Sequence, residues 1–294
     1  MRARYVGQEL ALAAQRAGCN GNDMAGALGW SPSKVSRLLS GKRGASTEDV
    51  SAFLAVCRVT GPARNELLAL TAHGYEPSWW QNHGNRSPVD FPPLAHNEAT
   101  ATSITCFDNT LVPDLLHVRD YTWAALATSP FIPDDEIDKR VARTLRRQQI
   151  LDRSFGSPTL RVFLTEYALT RLGAGNVVMS DQAHHLLRVA VRPEISIRIV
   201  PESTETFGVF GCGPFTLLEF TEHQPTVYLE SATSTAFLEQ SETITTYRGI
   251  IRELDRLALS RDDSRERIAD IAQQRAHNDT AQRPEDALAI WATG

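Results

Sequence analysis

With 294 residues and 42% hydrophobic content, the chain is globular and long enough to bury two separate cores. Thirty Lys and Arg against 35 Asp and Glu leave a net charge of -5, which excludes a protein coated in basic charge and leaves room only for a local basic region. Cys19, Cys57, Cys106 and Cys212 are widely spaced and lack CxxC pairing, so reduced thiols in the cytoplasm are expected rather than a disulfide framework or a zinc site. The opening MRARYVGQELALAAQRAG has no uninterrupted apolar core, and no later run approaches the roughly 18 apolar residues of a membrane helix, so no membrane contact is expected.

The first seventy or so residues read as a succession of short helices. Val6, Leu10 and Ala14 recur every four residues until Gly18 interrupts the pattern. Asn20 is suited to cap a second helix carrying Met24 and Leu28, and Gly29 to end it. Ser31 then caps a third helix, with Pro32 in its first turn, where a backbone N–H would have no helical partner anyway. Val35 and Leu38 face inward together, Ser33, Lys34, Ser36 and Arg37 point elsewhere, and Ser40 and Gly41 stop the helix. Two more helices fit Thr47 to Cys57 and Pro62 to Leu70. Across Met1 to Tyr75, nine basic residues stand against five acidic ones, a local charge of +4 that suits an anionic partner.

Beyond Gly74 the texture changes. Adjacent Trp79 and Trp80 and several prolines suggest a packed connector, with the tryptophans serving interdomain packing. Ala99, Ile104 and the residues around LVPDLL suggest short helical elements, followed by helices over Asp120 to Ala127 and Pro130 to Arg153. In the latter, an acidic first turn and Arg140, Arg143, Arg146 and Arg147 late in the helix suit its dipole, and the arginines are expected on a solvated face. TLRVFLTEYAL contains a strand around Leu160 to Leu164, DQAHHLLRVAV a helix, and ISIRIVP, GPFTLLEF and PTVYLE further strands. Ile244 to Leu257 and a polar terminal segment return to helix. The expected fold is multidomain: an all-α helix-turn-helix module followed by an α+β regulatory or assembly domain. The expected division is 1–74 for the DNA-binding module, 75–96 for the connector, 97–260 for the regulatory or dimerisation domain, and 261–294 for a polar helix and tail.

GCNGNDMAGALGWSPSKVSRLLSGKRGAS resembles the phage-repressor-type, or Xre-type, helix-turn-helix, through Ser36-Arg37 and the Gly41-Lys42-Arg43 loop. The resemblance covers about residues 5 to 70. It departs at Gly21, where the family commonly has a glutamine that grips the DNA backbone, and at Leu39, where an acidic residue is usual. The second half resembles the large domain found behind this module in actinobacterial regulators associated with toxin-antitoxin-like gene pairs and differentiation. It does so through Trp79-Trp80, NEATATSITCFDNTLVPDLLHVRDY, RRQQIL, IRIVP, GPFTLLEF, VYLE and YRGIIRELDRLALS, in the family's order. Here Asp114 and His117 stand where that family usually has glycine and glutamine.

These readings assign double-stranded DNA contact to Ser31, Ser33, Lys34, Ser36, Arg37, Lys42 and Arg43, with the short third helix in the major groove. So few basic contacts per module call for a symmetric homodimer reading two half-sites. Glu98, Cys106, His117, Glu166 and Glu230 are candidates to line a ligand or partner pocket in the second domain. Adjacent His184 and His185 cannot both face one metal, no HExxH occurs, and neither GxxxxGK[ST] nor GxGxxG is present, so neither metal nor cofactor is expected. The function indicated is a cytoplasmic, sequence-specific transcription regulator controlled by a small effector molecule or, as the resemblance implies, a small cognate protein. Two rivals stand beside it: an enzyme of specialised metabolism retaining a degenerate helix-turn-helix, and a non-catalytic protein-binding scaffold.

Overall fold

The chain begins as a bundle of helices because its early sequence alternates short apolar stripes with strong caps. The computed structural model describes residues 2–41, 45–71, 78–82, 92–130, 132–153, 155–170, 174–204, 211–231 and 234–282. Five helices come first: α1 (Arg2–Arg16), α2 (Gly21–Leu28), α3 (Pro32–Leu39), α4 (Thr47–Val56) and α5 (Gly61–Thr71). Asn20 caps α2 reciprocally: its side chain accepts from the N–H groups of Asn22 and Asp23, while Asp23 Oδ2 accepts from Asn20 N at 2.8 Å. Gly29 closes α2 at φ 65°, and Ser31 and Ser46 cap α3 and α4 by accepting from Lys34 N and Asp49 N. Leu10, Met24, Val35, Val50, Phe53 and Leu54 form the module's core, each contributing about 1.5–3 kcal/mol on burial.

The rest is a mixed α+β domain, as the sequence indicates. Its elements are β1 (Ser78–Asn82), α6 (Pro92–Thr100), β2 (Ser103–Asp108), α7 (Arg119–Ala127), α8 (Asp134–Gln148), β3 (Thr159–Thr165), α9 (Glu166–Thr170), α10 (Asn176–Val189), β4 (Ile195–Val200), β5 (Phe215–Glu219), β6 (Thr226–Glu230), β7 (Ser234–Leu238), α11 (Ser241–Leu257) and α12 (Arg261–Gln282). By packing, the chain divides into Met1–Trp79 with Phe91–Asn97 and Phe237–Gln240, and a larger unit comprising the remainder.

The seven strands lie in the order β1-β7-β6-β5-β2-β3-β4. β2 runs parallel to β3 and β3 to β4, whereas β5 is antiparallel to both β2 and β6. Ile104 therefore sits in a strand, not in the helix its apolar neighbours suggest, and β7 has no counterpart among the expected strands. β1 covers Trp79 and Trp80 with strand backbone; the expected packing of their side chains lies outside what is described.

Edge strand β4 is sealed by the start of α12. Ser264, fully buried, accepts from Ile199 N at 3.0 Å; Leu259 N donates to Ile199 O; and Arg261 donates to Ile195 O at 2.7 Å. Ser264→Ala leaves a buried N–H without its acceptor and is expected to cost about 1–3 kcal/mol in chemical denaturation. Ile268, Ile271 and Ala272 give this otherwise polar helix a buried stripe.

Candidate nucleic-acid interface and a buried ionic network

α3 is held from behind and open in front. Val35 and Leu38 are buried, while Ser31, Ser33, Ser36 and Arg37 are exposed. Two glycines let α1 close over its end. A Cβ on Gly7 would lie 2.6 Å from the carbonyl oxygens of Leu38 and Leu39. One on Gly41, at φ 64°, would lie 2.6 Å from Arg4 Cα. The glycine of the Gly-Lys-Arg loop is thus required by backbone packing. Lys42 and Arg43, assigned to DNA from the sequence, fall outside the described residues.

The exposed polar groups differ in what holds them. Ser31 is a cap whose hydroxyl also lies 3.2 Å from Ser33 Oγ. Lys34 is half-buried: its Nζ donates to Asp49 Oδ1 at 2.7 Å and lies 3.9 Å from the centroid of the Trp30 ring. The Arg37 guanidinium has no partner among the described residues, while its carbonyl accepts from Ser40 Oγ. At Gly21 the Cβ position is open, with Val35 Cγ1 4.0 Å away, so no packing reason excludes a longer side chain there. Leu39 is half-buried.

In the larger unit, an ionic network stands over one face of the sheet. Arg147, 10% exposed, grips Glu98, 4% exposed, with two parallel hydrogen bonds of 2.8 and 2.7 Å, and its Nη1 donates to Asp114 Oδ2 at 3.0 Å. Gln148 Nε2 donates to the carbonyls of Asp114 and His117. Burial opposes the Arg147 charge, yet Glu98 and Asp114 overcome it and raise the guanidinium well above its ordinary value. Burial likewise opposes ionisation of Asp114, but Arg147 and then His117 prevail and hold its carboxyl below the usual carboxylate range.

His117 is buried against Tyr121, with ring centroids 4.7 Å apart. Its Nε2 donates to Val112 O at 2.5 Å, leaving Nδ1 as an acceptor 3.3 Å from Thr122 Oγ1. Burial pushes the imidazole pKa down, although the charge of Asp114 pulls it upward. The His117 ring resonances are therefore expected to titrate below the ordinary imidazole midpoint in a pH series followed by NMR; a midpoint raised above it would contradict this.

Cys106, Thr216 and Tyr228 are successive register partners across β2, β5 and β6, so they share one sheet face. Thr216 donates to Cys106 Sγ, and Tyr228 donates to Glu230 Oε2 at 2.6 Å. Burial pushes the Cys106 thiol up to about 12, which keeps it protonated and poorly nucleophilic. Enclosing protein and then the charge of Asp114 raise the Glu230 carboxyl; because that side chain reaches solvent, screening tempers the effect. Four of the five residues proposed for a pocket thus gather around Arg147. Glu166 does not: at the start of α9 it accepts from Arg267 and from Glu202 N. Sequence reasoning missed the network's centre, Arg147, and its partner Asp114. Asp114 was visible as a departure from the resembled family, but the pairing spans 33 residues and leaves no local signal. His184 and His185 face separate partners, Ser180 and Arg188.

Residues 6–67 match a family described as Helix-turn-helix domain. Residues 91–270, well over half of the chain, match the family described as Domain of unknown function (DUF5753). The chain belongs to the DUF5753 family. In this DUF5753 protein an N-terminal helix-turn-helix domain precedes a separate C-terminal domain, the organisation of a DNA-binding regulator in general terms. A comparison of the DUF5753 chain with curated proteins gave no match. Among solved structures it is similar to TrmBL2, an archaeal chromatin protein whose structure shows a novel mode of DNA binding, at 13% identity and a TM-score of 0.29. That match covers 72% of this chain and 65% of the other, and so slight a likeness supports no argument about fold or function. Among the described residues of the DUF5753 chain, no helix is long and apolar enough to cross a membrane.

Proposed function

We propose that this chain is a sequence-specific transcription regulator of the Xre type, working in the cytoplasm as a homodimer that places α3 of each copy in successive major grooves. The observation that carries the reading is the face of α3: exposed Ser33, Ser36 and Arg37 on a helix anchored by Val35 and Leu38. The division into 1–74, 75–96, 97–260 and 261–294 serves this reading, with the third segment joining the copies and receiving a small partner protein or ligand. Its effector crevice is assigned to the polar sheet face around Glu98, Cys106, His117 and Glu230, where the Asp114 side chain is 37% exposed and Glu230 is exposed. The resemblance to actinobacterial regulators supports a cognate protein as the effector.

Arg37→Ala is expected to weaken binding to a preferred duplex by about 5- to 150-fold per copy, as loss of a base-reading arginine costs about 1–3 kcal/mol. Fluorescence anisotropy against matched and scrambled duplexes checks this. Equal affinity of the wild type for both duplexes would refute sequence-specific recognition.

A further inference from the structure

Lys34 is the basic residue that the sequence places most plainly at a DNA surface, one turn ahead of Arg37 on the same short helix. Its surroundings point elsewhere. The ammonium is engaged on two sides, by the Asp49 carboxylate at 2.7 Å and by the Trp30 ring at 3.9 Å. Trp30 immediately precedes the Ser31 cap of α3, and Asp49 lies in the first turn of α4, its own N–H held by Ser46. The contact therefore ties together the starts of two helices whose separation fixes how α3 is presented. A cation in the first turn of a helix faces the positive end of the dipole, so Asp49 supplies a compensation that an unpaired lysine there would lack. Reaching a phosphate would require Nζ to abandon a charge-assisted hydrogen bond and a cation–π contact together.

We infer that Lys34 is a positioning residue, clamped between Trp30 and Asp49 to set the angle of α3, and is not a phosphate contact. The inference rests on DNA binding by α3 and deepens it: Arg37 is then the cation that α3 itself brings to DNA, beside the hydroxyls of Ser33 and Ser36. A clamp and a phosphate contact predict opposite responses to freeing the lysine. If Lys34 positions α3, Asp49→Asn loosens the helix and weakens binding. If Lys34 grips phosphate, the same change releases an ammonium toward DNA and strengthens binding.

The test uses the full chain and its preferred duplex, with affinity measured over a salt series for wild type, Asp49→Asn, Lys34→Met and Arg37→Met. Each lost phosphate contact lowers the slope of log affinity against log salt by about 0.9, hence about 1.8 for a homodimer. The clamp predicts that Asp49→Asn and Lys34→Met each weaken binding about three- to tenfold with the wild-type slope retained. Arg37→Met serves as the comparison for loss of an exposed cation. Tighter binding by Asp49→Asn, or a slope lowered by nearly two in Lys34→Met, overturns the inference. Should Lys34→Met fail to fold, the Asp49→Asn arm and the reversed pair Lys34→Glu/Asp49→Lys decide: a clamp keeps binding within about tenfold, and a phosphate contact loses it. Failure of the wild type to bind any duplex would instead overturn the DNA-binding reading, which keeps the two failures distinct.

Discussion

Arg147→Met is expected to destabilise the larger unit by about 3–5 kcal/mol, because it leaves the Glu98 carboxylate buried with no opposing charge. The size of the effect follows from asymmetry. Removing both members of a buried pair can be nearly neutral, whereas removing one exposes the remaining charge to the full cost of desolvation. Glu98→Gln combined with Arg147→Met should therefore recover most of the loss. Asp114→Asn should cost under about 1 kcal/mol, since that side chain is 37% exposed and Arg147 keeps its buried Glu98 partner. Denaturant unfolding of the wild type, Glu98→Gln, Arg147→Met and the double variant forms a cycle around the pair, with Asp114→Asn measured beside it. A loss below about 1 kcal/mol for Arg147→Met would show that the pair is not the closed, dehydrated contact described above.

Gly41→Ala is the second large effect, expected to cost the helical module about 2–4 kcal/mol and to abolish DNA binding in step. Two independent penalties combine: an L side chain at φ 64° costs about 1–2 kcal/mol, and its Cβ would stand 2.6–2.8 Å from the backbone of Arg4 and Ala3. Gly29→Ala separates them. Gly29 has a similar φ, 65°, but its Cβ position is empty, so only the conformational penalty of about 1–2 kcal/mol applies. Calorimetry of the full chain should show Gly41→Ala clearly worse than Gly29→Ala. Equal losses would mean that α1 does not press on the α3 loop.

The contrast between Gly41 and Arg147 marks what the sequence discloses. The bounds of α3 were legible to the residue, from a Ser31 cap, Pro32 in the first turn and a Ser-Gly stop, because each of those signals acts within a few residues. β2 was not: SITCFD is buried on both faces through its centre, so it lacks the alternation that identifies a half-exposed strand. The late arginines of α8 look alike in sequence, yet Arg147 and Arg140 are buried while Arg143 and Arg146 are exposed. Arg147 turns inward to meet Glu98, 49 residues away, and no periodicity reports that. Lys34 illustrates the same limit at shorter range, since its partner Asp49 lies on the next helix, 15 residues away, and leaves no local signal.

Selection of the full chain against a randomised duplex library at near-physiological salt, with Arg37→Ala run in parallel, tests the proposed regulator most directly. The expected result is enrichment by the wild type of one motif repeated with two-fold symmetry about one helical turn apart, lost in the variant. Retention of duplexes without any enriched motif, or an identical motif from both proteins, would contradict recognition by α3.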